Sequence, residues 1–240
     1  MSESKQEKNV ESSGDLQFLK DKVFLIIGAE TQLGLDLGQV SAELGSQVIL
    51  AGMNEPLLKD AAKRLVSQDY KAFFSCLNPT QPEEVKNTFK SLKSKFEKID
   101  YLILNMDFRN QKKIVETSWI DWQNHLLINL TAPFLFIKYA FSYMKKGSKI
   151  VLINSQRTQI TDKKSAAFRT AKAALKEFMN VAREESAEYG IELIEANVDE
   201  STATSKGNLK NFYFDSAKRI VLALNPFSEV HQKEIHLGQH

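Results

Sequence analysis

The sequence predicts a single doubly wound α/β domain, with a seven-stranded, mostly parallel sheet flanked by helices. Three observations carry this expectation. From residue 18 onward, short runs of β-branched and large apolar residues alternate with longer amphipathic runs, the pattern of βαβ units. Three helical runs open on a capping residue or proline (Asn54, Pro82, Ser118), and two close on a glycine (Gly45, Gly190). The 240-residue chain is 42% hydrophobic, enough for one sizeable core without a second domain.

Residues 23–27 are an unbroken apolar run and read as a buried first strand. Helical text follows over 31–44 and stops at Gly45, which suits the left-handed turn past a helix. Residues 47–51 are a second strand. Asn54 caps a helix over 56–67. Residues 72–75 are a third strand, and Pro82 opens a helix running to 96. Residues 101–104 are a fourth strand. Ser118 and Asp121 resemble a capping box ahead of a long helix to about 145. Residues 149–153 are a fifth strand, followed by a long helix over 165–189 that Gly190 ends. Residues 191–194 are a sixth strand, 214–224 a helix and 234–237 a weaker seventh strand.

Outside that pattern lies little that points elsewhere. Residues 1–17 are polar and read as a disordered tail before the domain at 18–240. They lack a signal peptide's apolar core, and Glu3, Glu7 and Glu11 argue against a transit peptide. The longest apolar stretch, 126–144, carries Asn129 and Lys138, so no membrane span is expected. A formal net charge of +2 asks for neither nucleic acid nor membrane as a partner. Cys76 is the only cysteine, which excludes an internal disulfide and fits a reducing compartment, the cytoplasm. No metal site is expected.

The first strand runs into Gly28, Ala29, Glu30, Thr31, Gln32, Leu33 and Gly34. A glycine turn between a first strand and a first helix is where such folds bind a dinucleotide pyrophosphate. Further on, Phe168 stands four residues before Lys172 in a small-residue helix, and Ser155 stands thirteen residues before Phe168. Taken singly, these are ordinary core, strand-end and helix residues. Their joint order and spacing resemble the short-chain dehydrogenases/reductases over residues 18–238.

That resemblance implies a Rossmann-type fold and an NAD(P)-dependent oxidoreductase site. It assigns catalytic positions to Asn129, Ser155 and Lys172, with Phe168 where the family carries its proton-donating Tyr. Phe can neither donate nor accept a proton, and a positioned acid is worth roughly 10²–10⁴-fold in rate. Cofactor contacts are implied for Gly28, Gln32, Leu33, Gly34, Asn78, Asn105 and Lys172. Gln32 replaces the middle glycine of the turn; its side chain could block the phosphates, or point away and hydrogen-bond one. Asp107 replaces a glycine close to cofactor and is expected to add bulk and to repel phosphate. Gly52-Met53 carries neither the acid that selects NAD nor the Arg that selects NADP, so NAD and NADP both stay open as cofactors, with lost binding as the alternative. Only 200–211 separates the sixth strand from the next helical text, a short lid.

Two functions follow as expectations. The first is a catalytically impaired pseudo-oxidoreductase retained for nucleotide binding, regulation or assembly. The second is an active oxidoreductase on a carbonyl or alcohol with non-standard acid chemistry. Dimerisation or tetramerisation through the helices at 118–145 and 165–189 is implied as well, with Ala167, Ala171 and Ala174 offering a small-residue face, and a pseudoenzyme would suit a protein partner.

Overall fold

The computed structural model describes residues 17–155, 165–199, 209–225 and 234–237. The polar tail at 1–16 and the core of the short lid, 200–208, lie outside the described residues. Seven strands form one sheet: β1 Val23–Ile27, β2 Gln47–Gly52, β3 Ala72–Cys76, β4 Tyr101–Leu104, β5 Lys149–Ser155, β6 Glu192–Val198 and β7 Glu234–Leu237. Their order is β3-β2-β1-β4-β5-β6-β7, and every neighbouring pair is parallel. The order reverses between β1 and β4, and ligands of such sheets bind beyond the strand ends at that switch point.

Alternation along the strands divides the core in two. Phe24 and Ile26 face one side, packed with helix α1 (Gln32–Glu43), α2 (Glu55–Val66) and the helix preceding β7. Leu25 and Ile27 face the other, packed with α3 (Pro82–Lys95), α5 (Ala132–Tyr143) and α6 (Ala166–Tyr189). The expected caps are in place. Asn54 Oδ1 accepts from Leu57 N, Ser118 and Asp121 form a reciprocal box at α4 (Trp119–Leu126), and Gly45 and Gly190 take positive φ.

Four elements differ from the sequence expectation. The long helix over 118–145 is interrupted by a π turn, Leu127–Thr131, where Ala132 N reaches back to Leu127 O. Pro133 has no N–H to give Asn129 O, so the regular ladder fails there and the turn widens. Strands β5 and β6 run further than expected and pair as far as Ser155 and Val198. The polar residues that masked this extension have partners across the fold: Asn154 Nδ2 donates to Asn197 Oδ1, and Glu195 pairs with Arg183 of α6. The last helix, α7, is Leu209–Ala223 and starts five residues before the expected 214.

The run Trp119–Tyr143 is long and apolar enough to cross a membrane by length and composition alone. Here it flanks the sheet, with Asn129, Ala132, Phe136 and Ala140 turned into the core.

Candidate functional site

The cleft over the β1/β4 switch point has two sides. On the first, Gly28 has φ +75°, and a Cβ there would lie 2.0 Å from Asn105 O. At Gly34 a Cβ would lie 2.5 Å from Gly28 O, so both glycines serve a turn folded hard against strand and helix. Thr31 caps α1: its Oγ1 accepts from Gly34 N at 3.1 Å and donates to Gly28 O at 3.2 Å. Asn105 braces the turn from β4, donating to Gly28 O at 3.1 Å and to Thr31 Oγ1 at 2.7 Å. Leu33 is buried in the α1 side of the core, so only its backbone faces the turn. Gln32 points away from the turn, toward a side chain of its own helix rather than a ligand position. Its Nε2 donates to Asp36 Oδ1 at 2.9 Å, along α1 and away from the turn. Burial raises the Asp36 carboxyl above the usual range, against that hydrogen bond.

Near the end of β2, Glu30 Oε1 accepts from Met53 N at 3.0 Å. Beyond β3, Asn78 Oδ1 accepts from Thr80 N and Oγ1 at 3.0 and 2.8 Å, closing a local turn.

The second side gathers the residues that resemblance called catalytic. Lys172 on α6 lies 3.1 Å from Asp107 Oδ1, and Arg109 Nε donates to Asp107 Oδ2 at 2.6 Å. Both cations also cover the ring of Phe168, Arg109 at 4.7 Å and Lys172 at 5.5 Å from its centroid. Asp107 was expected to repel phosphate; instead two cations compensate its charge. Burial pushes the Lys172 ammonium below its ordinary pKa, while the Asp107 carboxylate pulls the other way.

Asn129, in the π turn and almost fully buried, holds the loop after β4. Its Nδ2 donates to Phe108 O at 2.8 Å and its Oδ1 accepts from Phe108 N at 2.9 Å. His125 acts one turn earlier: its Nε2 accepts from Asn110 N, and its Nδ1 donates to Asp121 O. Asp121 binds Lys112 Nζ and Asn110 Nδ2, each at 2.7 Å, and Lys112 and Ser118 hold its carboxyl well below the usual range. Ser155 ends β5 opposite Val198; its side chain lies outside the described residues.

The fold thus brings Asn129, Phe168 and Lys172 to one wall, with Ser155 ending the neighbouring strand, and Gly28, Gly34 and Asn105 to the opposite one. Asn78 lies further out, past β3. Sequence reasoning missed Glu30, Arg109 and His125. A charge inside a glycine turn was the available signal for Glu30; nothing local marked the other two.

The model for short chain dehydrogenases matches residues 22–205. The chain belongs to the short-chain dehydrogenase family. Among its relatives is a cyclopentanol dehydrogenase of Comamonas sp. (strain NCIMB 9872), 26% identical over 175 residues, 72% of this chain and 70% of that protein. Another is a 2-dehydro-3-deoxy-D-gluconate 5-dehydrogenase of Formosa agariphila, 23% identical over 184 residues, 75% of this chain and 70% of that one. A dehydrogenase/reductase from Sinorhizobium meliloti 1021 shares the fold at a TM-score of 0.82 and 14% identity, over 94% of this chain and 98% of that one. Short-chain dehydrogenases typically bind NAD or NADP. The Gln32 side chain, directed along α1, leaves the turn before the α1 N-terminus clear, which fits a pyrophosphate there.

Proposed function

We propose that this short-chain dehydrogenase has lost effective hydride-transfer chemistry and keeps its cleft for nucleotide binding, regulation or assembly. One observation carries the reading: the ring of Phe168 fills the place of the family's acid, and the neighbouring Lys172 is held by Asp107. A bound nicotinamide nucleotide would supply or accept hydride. This chain's own residues offer it a pyrophosphate turn at Gly28–Gly34, and a lysine already engaged by a carboxylate. No phenol stands between that lysine and a substrate carbonyl. The test is an assay of NADH- and NADPH-dependent reduction across a panel of aldehydes and ketones, beside direct binding of both cofactors by thermal shift. Binding without turnover is the expected result. Turnover abolished by Lys172→Ala would overturn it.

That second outcome would support an active oxidoreductase, a reading favoured by one feature. Burial lowers the Lys172 pKa, which makes its ammonium a stronger acid than an exposed lysine. Asp107 works against this by stabilising the charged form.

Self-association accompanies the proposal. Phe134 packs edge-on to Phe178 at 5.9 Å between ring centroids, and Phe141 stacks on Tyr189 at 4.9 Å, along an open groove between α5 and α6. Phe134, Val181 and Tyr189 stay exposed in the single chain. Of the expected small-residue face, Ala167 and Ala171 are buried within the domain and Ala174 is exposed. A second copy of the chain, as homodimer or within a homotetramer, suits the aromatic groove. Light scattering should give a multimer, and Val181→Glu should reduce it to monomer. A monomeric parent protein would end this part. A reducing, cytoplasmic setting accords with the single Cys76.

A further inference from the structure

The turn that would hold a pyrophosphate also carries a charge at the end of β2. Glu30 reaches from the turn to that strand end, where its carboxylate lies flat on Gly52. A Cβ at Gly52 would lie 1.8 Å from Oε2 and 2.6 Å from Oε1, so only glycine leaves room for the group. Oε1 accepts from Met53 N at 3.0 Å. Oε2 is enclosed and has no hydrogen-bond partner, and among the described residues no cation pairs with the carboxylate. The next side chain along, Met53, is neutral and 60% exposed.

In this fold class the second strand's end meets the adenosine ribose. A carboxylate there accepts from the ribose 2′-hydroxyl, and a nearby Arg accommodates a 2′-phosphate. Neither residue directly after β2, Met53 or Asn54, is an acid or an Arg, and the first acid, Glu55, already belongs to α2. The acid comes instead from inside the glycine turn, and the position that would neutralise it is Met53. A carboxylate is an acceptor only, so it suits hydroxyl donors and opposes a second anion.

We propose that Glu30 makes this cleft select an unphosphorylated adenosine ribose over its 2′-phosphate, and hence NAD(H) over NADP(H). The inference rests on the nucleotide-binding reading above. It adds a specificity-determining residue that the family's usual position after β2 does not supply here.

The test uses ADP-ribose and 2′-phospho-ADP-ribose with the full chain, titrated calorimetrically. Both probes lack nicotinamide, so the Asp107–Lys172 pair on the other side of the cleft does not bear on them. ADP-ribose should bind at least about tenfold more tightly than its 2′-phosphate, since a discrimination of about tenfold needs only a modest like-charge penalty. Glu30→Gln keeps an oxygen for Met53 N and removes the charge; it should bring the ratio close to one. Met53→Arg, at an exposed site where folding is not at stake, should compensate the charge and narrow the ratio in the same direction. Equal binding of both probes by the parent protein would overturn the inference and leave nucleotide binding standing. So would a preference that neither variant narrows. Folded parent protein that binds neither probe would remove both the nucleotide reading and the inference built on it.

Discussion

The two sides of the cleft are held together by different kinds of group. On the side of the glycine turn, where resemblance implies a middle glycine, Gln32 stands, and the turn closes all the same. Gly28, Thr31, Gly34 and Asn105 close it through backbone and capping bonds, and the intruding side chain leaves along α1. On the other side the residues that resemblance assigns to catalysis are engaged with one another and with the loop after β4. Lys172 is bound by Asp107, Arg109 covers Phe168, and Asn129 spends both side-chain groups on Phe108. A ligand turn built from backbone tolerates side-chain substitution, because its binding groups are peptides. A proton-transfer site does not, because each group there is a side chain with one task.

The sharpest break of the glycine-turn side is Gly28→Ala. The new Cβ would meet the Asn105 carbonyl at 2.0 Å, and the residue would hold φ +75°. Left-handed strain and overpacking together should cost about 2–5 kcal/mol, read by chemical denaturation with an unchanged m-value. A loss under about 1 kcal/mol would mean that the turn is not pressed on β4.

Next in size is Asn129→Ala on the other wall. It removes both partners of the Phe108 backbone from a buried site, which should cost about 2–4 kcal/mol. Hydrogen exchange should quicken in 105–113 and stay slow in the glycine turn. Equal loosening of both walls would contradict their separate bracing.

Asp107→Asn comes third and gives the comparison a pH dependence. Burial holds the folded pKa of Lys172 below its unfolded value, so the folded state binds fewer protons at this group between the two pKa values. Stability therefore rises with pH across that window, up to the unfolded value of 10.5, and the penalty is complete below the folded pKa. Removing Asp107 deletes the group that raises the folded pKa and widens the window downward. The variant should lose about 1–3 kcal/mol at neutral pH and regain stability more steeply than the parent as pH climbs toward 10. A pH-independent loss would show that the pair is not what holds the ammonium.

Much of this frame was legible in the sequence. Gly45, Asn54, Ser118 and Gly190 mark helix ends through local backbone chemistry, and local chemistry is what a sequence displays. Resemblance to the family, carried by motif and spacing together, aligned Asn129, Ser155, Phe168 and Lys172. Extension of β5 and β6 was hidden because Asn154, Glu195 and Asn197 look like loop residues until their partners, 12 to 43 positions away, are known. The π turn was signalled by Pro133, whose missing N–H falls opposite Asn129 in the middle of the expected helix, but a proline there marks a break in the ladder without specifying how the turn closes. Glu30 and Arg109 gained meaning only from contacts through space: the Glu30 carboxylate with Met53, 23 residues on, and the Arg109 guanidinium with Phe168.

The smallest expected effect restores the missing phenol. Phe168→Tyr supplies a proton donor at the family's position, and a lone missing acid would predict a gain of roughly 10²–10⁴-fold in carbonyl reduction. The catalytic wall here differs by more than that one oxygen. The carboxylate of Asp107 still engages Lys172, and Arg109 still lies over the ring. Phe168→Tyr alone should therefore raise NADH-dependent turnover by less than about tenfold. Adding Asp107→Gly frees the lysine and removes the anchor of Arg109, so the double variant should exceed the product of the single ones. A full restoration by Phe168→Tyr alone would show that the catalytic wall, like the glycine-turn side, kept its working geometry and lacked only a hydroxyl.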